Sequence, residues 1–270
     1  MLFLYYVFLE TLAGMKTLFL LFKNQHRNAI PLFYCGLIHI GFALLFLAIL
    51  PFEHRQLQGI NLWIKPIKFA LSIGVYSLTW ALILPYIPGE KLKENFVRFT
   101  VIALAFEMLC VASQAARGEL SHFNQSGIYN IVLYALMGIM ITAQTVFSMY
   151  IAYKFFKFPP SNLGQSMIWA IRFGMVISIF FAMQGGFIGQ RMAHTVGAAD
   201  GGAGIPFLNW STRYGDLRIA HFFGLHALQI LPAYSWLFKI KRKIPVIIFA
   251  LLYFSFVSFL FYHALLGKSY

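Results

Sequence analysis

Five histidines, two carboxylates and a few cations stand out in a chain that is otherwise apolar. His122, His194, His221, His226 and His263 carry imidazole, the commonest metal-ligating side chain and one that also holds haem iron. Glu107 and Asp216 could act beside them as bases, as further ligands or as partners that orient a ligating ring. Lys65, Lys68, Arg117, Arg191 and Arg218 offer positive charge to an anionic group, and Gln229 adds a neutral hydrogen bond. Three roles are therefore expected. Metal or haem ligation falls to His122, His221, His226 and His263, and acid–base work to Glu107, His194, Asp216 and His221. Binding of a cofactor or anionic ligand falls to Lys65, Lys68, Arg117, Arg191, Arg218 and Gln229. Spacing limits the first role: His221 and His226 lie about 140° apart around a helix, so they share one metal only if that helix is distorted. The chain has no HExxH, HxxxH or HxxHH box, no GxSxG elbow and no phosphate-loop lysine after its glycines.

These residues must be positioned by membrane helices. Of 270 residues, 60% are hydrophobic and only 11% charged, where a soluble domain carries roughly a quarter charged. Long apolar runs recur, each near the roughly 20 residues a helix needs to cross a bilayer. The expected fold is all-α: a polytopic bundle of about eight spans near 2–22, 31–50, 62–86, 96–116, 128–153, 165–190, 217–238 and 244–266. Together these make one membrane domain over 1–270, with a long structured loop at 191–216. The first segment lacks the positive start of a signal peptide and is expected to be a retained span. A net charge of +13 does not imply nucleic acid, because the cations sit in short loops without interleaved aromatics. Cys35 and Cys110 lie inside apolar segments and form no CxxC pattern.

Basic residues orient the spans. Eleven of them, or thirteen with the nearby Lys16 and Arg172, gather on one side and eight on the other, so the positive-inside rule puts both termini and loop 191–216 outside the cytoplasm. With alternating direction, Glu107, Arg117 and His122 then fall at the outer end, as do Arg191, His194, Asp216, Arg218, His221, His226 and His263. Lys65, Lys68, Ser72, Tyr76 and Thr79 share about 80° of one helix face. Ionisable groups cost about 2.5–3.5 kcal/mol each at the centre of a spanning helix, so they face the bundle interior. A shared polar cavity opening outward is the expectation. The bland alternatives are snorkelling for Lys65 and Lys68 and close helix packing for Gly185, Gly186 and Gly189.

Segment 191–216 is longer than an ordinary helix connection, and such loops are usually functional or disordered. Ile205, Pro206, Phe207, Leu208 and Trp210 give it side chains to dock with, so a folded, partly re-entrant cap is expected. The wording "HTVGAADGG", "WST", "GDLR" and "AHFFGLHALQ", with "KPIKF" upstream, resembles a family of uncharacterised bacterial multi-pass membrane proteins. The resemblance spans most of the chain and implies a bacterial inner-membrane protein, with no activity attached.

Four functions compete. A metal- or haem-dependent membrane redox enzyme comes first, and a metal-free enzyme acting on an anionic lipid or phosphorylated group second. A small-anion transporter or sensor is third, although no internal repeat supports it. A structural subunit would leave the outer polar groups without purpose. The lipid bilayer is an expected partner, an anionic or lipidic small molecule an expected ligand, and nucleic acid neither.

Overall fold

The structure, a computed structural model, describes residues 27–269. The expected first span at 2–22 lies outside the described residues. Among them are seven helices: α1 (Ile30–Ile49), α2 (Ile64–Ile83), α3 (Glu90–Arg117), α4 (Ile128–Lys157), α5 (Gln165–Arg191), α6 (Leu217–Leu237) and α7 (Lys243–Leu265). Strand among the described residues is confined to two short antiparallel pairs. One joins β1 (Gln56–Leu57) to β2 (Ile60–Asn61), and the other joins β3 (Thr195–Val196) to β4 (Gly215–Asp216).

All but α6 are long and apolar enough to cross a membrane. With 21 residues, α6 matches them in length. Arg218, His221, His226 and Gln229, spread along it from the first turn, lower the hydropathy of the membrane-length stretches within it.

Helix ends follow local chemistry. Pro31 stands in the first turn of α1, where its missing N–H costs nothing. Gly89 (φ 88°) opens α3, and Gly118 in a left-handed conformation closes it, a backbone state other residues adopt only at a cost. The α3 helix therefore starts at Glu90, upstream of the apolar run near 96. Similarly, α4 runs on to Lys157, two residues short of Pro159.

Packing pairs α1 with α2 and α5 with α6 most extensively, while α7 closes against α5 and α6. The α5–α6 approach depends on glycine. A Cβ on Gly224 would stand 2.1 Å from Phe181 Cγ, and one on Gly185 would stand 2.9 Å from the His221 ring. Small residues of this kind let membrane helices come close.

One apolar cluster joins α1 through α6 around Trp80, Phe96, Phe155, Ile171 and Leu228. Two further clusters flank it. Phe46, Ile73, Leu104 and Met137 hold α1 to α4 together, while Phe181, Ala220, Leu231 and Val257 hold α5 to α7. The polar residues occupy the seam between these two clusters.

Candidate acid–base site at the seam

Each side chain at the seam has its own local device. Asn61 accepts the Trp63 N–H at 2.9 Å and so sets the entry to α2, which carries Lys65 and Lys68 in its first turns. After Gly118 the chain folds back along α3. Gln114 donates to the Leu120 carbonyl (3.1 Å) and to Asn130 of α4 (2.8 Å). Asn124 donates to Glu119 (2.9 Å) and accepts the Ser126 N–H (2.9 Å). These bonds fix the 118–127 turn and bring His122 back over Glu107.

Glu107 is the centre of the arrangement. Its residue surface is 7% exposed, Oε1 lies 3.6 Å from His122 Nε2, and Oε2 is buried without a hydrogen-bond partner among the described residues. That separation is just beyond hydrogen-bond reach, so a small shift makes or breaks proton contact. His122 Nδ1 meets Ser121 Oγ at 3.1 Å. The His122 ring is flanked by Phe69 (5.4 Å between centroids) and Tyr134 (5.9 Å). Lys65 Nζ lies 5.8 Å from the same Phe69 ring, and its charge acts on both Glu107 and His122. Burial first, then the positive charges of Lys65 and His194, hold His122 well below the ordinary histidine range.

Phe123 links this group to the long loop, with its ring 4.8 Å from that of His194. Asp200 organises the loop there. It accepts the His194 ring Nδ1–H at 2.8 Å, the His194 backbone N–H at 3.0 Å and the Thr195 N–H at 2.8 Å. Burial alone would raise the Asp200 carboxyl, but these hydrogen bonds hold it well below the usual carboxylate range. Burial lowers His194, against the opposing pull of Asp200. From α6, His221 donates Nδ1–H to the Phe181 carbonyl at 2.8 Å, because a carbonyl can only accept. This leaves the His221 Nε2 lone pair open, within electrostatic range of His194.

The cations and Asp216 are engaged in holding the loop. Asp216 is fully buried and caps α6; it accepts from the Arg218 N–H (3.0 Å), Nε (2.9 Å) and Nη2 (2.6 Å), and from the Ser211 N–H (2.8 Å). Arg218 also donates to the Asn209 carbonyl. Lys68 donates to the Leu208 carbonyl at 3.0 Å. Inside the loop, Gly204 and Ser211 form a β-bridge, and Ile205 N–H bonds to the Trp210 carbonyl at 2.8 Å. A crevice of about 100 Å³ lies within the loop itself, lined by Gly201, Asn209, Ser211 and Arg213 with Arg218 of α6.

Of the residues singled out by sequence, the seam thus gathers Lys65, Lys68, Glu107, His122, His194, Asp216, Arg218 and His221. Others stand apart. His226 lies deeper and donates Nδ1–H to Gln229 (3.2 Å), which in turn donates to Thr79 of α2 (2.9 Å). His263 sits in the last turn of α7 beside Phe259 (5.7 Å). Arg117 is exposed, paired with Gln114 (2.8 Å) and stacked on Tyr129 (4.5 Å). Arg191 is exposed over Phe187 (5.8 Å). The proposed ligands His122, His221, His226 and His263 do not converge, and among the described residues no three His, Cys, Asp or Glu side chains are placed to hold a metal ion. Asp200, Phe123 and Tyr134 belong to the site but were not foreseen. For Asp200 the available signal was a carboxylate six residues after a histidine, just before a glycine pair.

No family model, no curated protein and no solved structure matches this chain.

Proposed function

We propose that this chain is an integral membrane protein of a bacterial inner membrane whose chemistry is proton transfer at Glu107 and His122. In this reading α6 and the 2–22 segment also cross the bilayer, giving eight spans. Loop 192–216 then closes the site on the non-cytoplasmic face. One observation carries the reading: a buried carboxyl sets one oxygen against an imidazole kept neutral by its surroundings, while its other oxygen has no hydrogen-bond partner among the described residues. An ionised carboxylate left so poorly solvated costs several kcal/mol, which is tolerable where the group must take up and release a proton. Lys65 supplies the positive charge that would stabilise an anion formed when a substrate gives up its proton. An anion clamp of arginines fits less well, since Arg218 is consumed by Asp216 and Asn209 and Arg117 and Arg191 face outward.

Infrared difference spectroscopy of the purified protein between acidic and alkaline pH tests this. A protonated-carboxyl band that Glu107→Gln abolishes and His122→Gln displaces supports the assignment. Persistence of the full band in Glu107→Gln would overturn it.

A second reading, ligation of haem or a transition metal, is favoured by the His221 tautomer. Anchoring Nδ1–H on a backbone carbonyl, as Phe181 does here, is how a ligating imidazole is usually oriented. A Soret band or stoichiometric metal in the purified protein, lost in His221→Ala, would favour it. A colourless, metal-free preparation would remove it.

A further inference from the structure

We propose that the opposite end of the bundle binds the headgroup of an anionic phospholipid, seated between Arg172 of α5 and Lys243 of α7 over Trp169. Three chain segments meet there: the end of α4, the start of α5 and the turn from α6 into α7. Ser166 Oγ donates to the Ile240 carbonyl at 2.5 Å and fastens the turn to α5. The Arg172 guanidinium stands 4.9 Å from the Phe156 ring and 5.1 Å from Trp169, and Lys243 Nζ lies 5.8 Å from the same Trp169. Two cations are thus held over one indole, with Lys241 and Arg242 exposed on the adjoining turn.

Among the described residues, no carboxylate pairs with them. Arg172 Nη2 donates to the Phe156 carbonyl at 3.0 Å, but its Nε is buried without an acceptor among the described residues. Both α5 and α7 begin without a side-chain cap, so the positive ends of two helices add to the same field. The positive-inside bias accounts for which side these residues lie on, but not for their gathering about Trp169.

Beside the cations lies a skirt of exposed apolar residues: Trp236, Leu237 and Phe238 at the end of α6, and Ile244 at the start of α7. A phosphate bearing acyl chains matches both halves of this surface, whereas a soluble anion uses only the charged half. Basic pockets between spanning helices take such headgroups.

Native mass spectrometry of delipidated protein tests the site, with cardiolipin, phosphatidylglycerol and phosphatidylcholine as probes and inorganic phosphate as competitor. The anionic lipids should be retained and phosphatidylcholine released. Arg172→Gln with Lys243→Gln should weaken retention by about fivefold per cation removed. Because Arg172 also braces the Phe156 carbonyl, a second variant, Lys241→Gln with Arg242→Gln and Lys243→Gln, alters only exposed residues at the turn and should weaken retention by the same factor per cation with an unchanged melting midpoint. Undiminished retention in that variant, or equal retention of phosphatidylcholine, overturns the proposal. Displacement by millimolar phosphate would also overturn it, by marking a site for a free anion instead.

Discussion

Lys68 Nζ and the carbonyl of Leu208 lie 3.0 Å apart although 140 positions separate them in the chain. This bond ties the tip of the long loop to the first turns of α2, directly above the seam. A hydrogen bond to a charged donor contributes about 1.5–3 kcal/mol. Lys68→Met keeps the apolar stem and removes the donor. Loop 192–216 should then open at least about tenfold more often, read as faster protease cleavage within it. Equal cleavage of variant and wild type would show that the tether does not hold the loop down.

Asp216 should behave as a structural residue. It has no exposed surface and satisfies four donors from Arg218 and Ser211. Removing one member of a buried ion pair costs about 3–5 kcal/mol because the other charge is stranded. Asp216→Ala should therefore sharply reduce the yield of folded protein. Asp216→Asn combined with Arg218→Gln should cost less than the sum of the two single changes, as measured by thermal unfolding in detergent. Strict additivity would refute the pairing.

The apolar helices and the gathering of polar groups at one end were legible in sequence for a simple reason. Antiparallel spans place the end of α3, the end of α5 and the start of α6 beside the start of α2. Partner choice was not legible. Asp216 and Arg218 could be read as reactive, but two residues apart at a helix start they cap and pair with each other. Arg117 and Arg191 are the terminal residues of their helices, where the direction of a side chain depends on a turn whose geometry hydropathy does not encode. The polar first turns of α3 were missed for a related reason: hydropathy measures where lipid ends, whereas Gly89 sets where the helix begins.

Acid should loosen the seam in a defined window. Folded His122 and His194 both have lowered proton affinity, whereas an unfolded histidine protonates near pH 6.5. Below that pH the unfolded chain binds more protons than the folded one, so stability falls as pH drops from about 6.5. Asp200, held low by His194 and Thr195, adds a further loss only below about pH 4. Melting midpoints between pH 8 and pH 5 should decline, and His122→Gln should flatten that decline. An unaltered slope in the variant would exclude His122 as its source.

Gly215 should tolerate no side chain. A Cβ there would lie 2.0 Å from the Ala264 carbonyl oxygen of α7, and backbone cannot yield as a flexible side chain can. Overpacking of this kind costs about 1–3 kcal/mol. Gly215→Ala should detach β4 from α7, raising hydrogen exchange at 195–216 while α1 to α4 stay protected. Uniform protection across both regions would show that the contact can relax.

The chain from His226 through Gln229 to Thr79 has a fixed direction, and that direction can be reversed. Thr79 Oγ1 donates to the Val75 carbonyl at 2.7 Å, so its lone pairs must receive the Gln229 amide N–H at 2.9 Å. Gln229 then presents Oε1 to His226, which answers with Nδ1–H at 3.2 Å and leaves Nε2 bare. Thr79→Val removes the acceptor that fixes the Gln229 orientation among the described residues. The amide can then turn its NH2 toward His226, and the ring proton moves to Nε2, since a neutral imidazole carries one donor and one acceptor. Nitrogen-15 chemical shifts of His226 report which ring nitrogen is protonated. They should exchange between Nδ1 and Nε2 in Thr79→Val and stay as in wild type in Thr79→Ser, which keeps the hydroxyl. An Nδ1–H tautomer surviving in Thr79→Val would mean that another neighbour, and not this relay, sets the His226 proton.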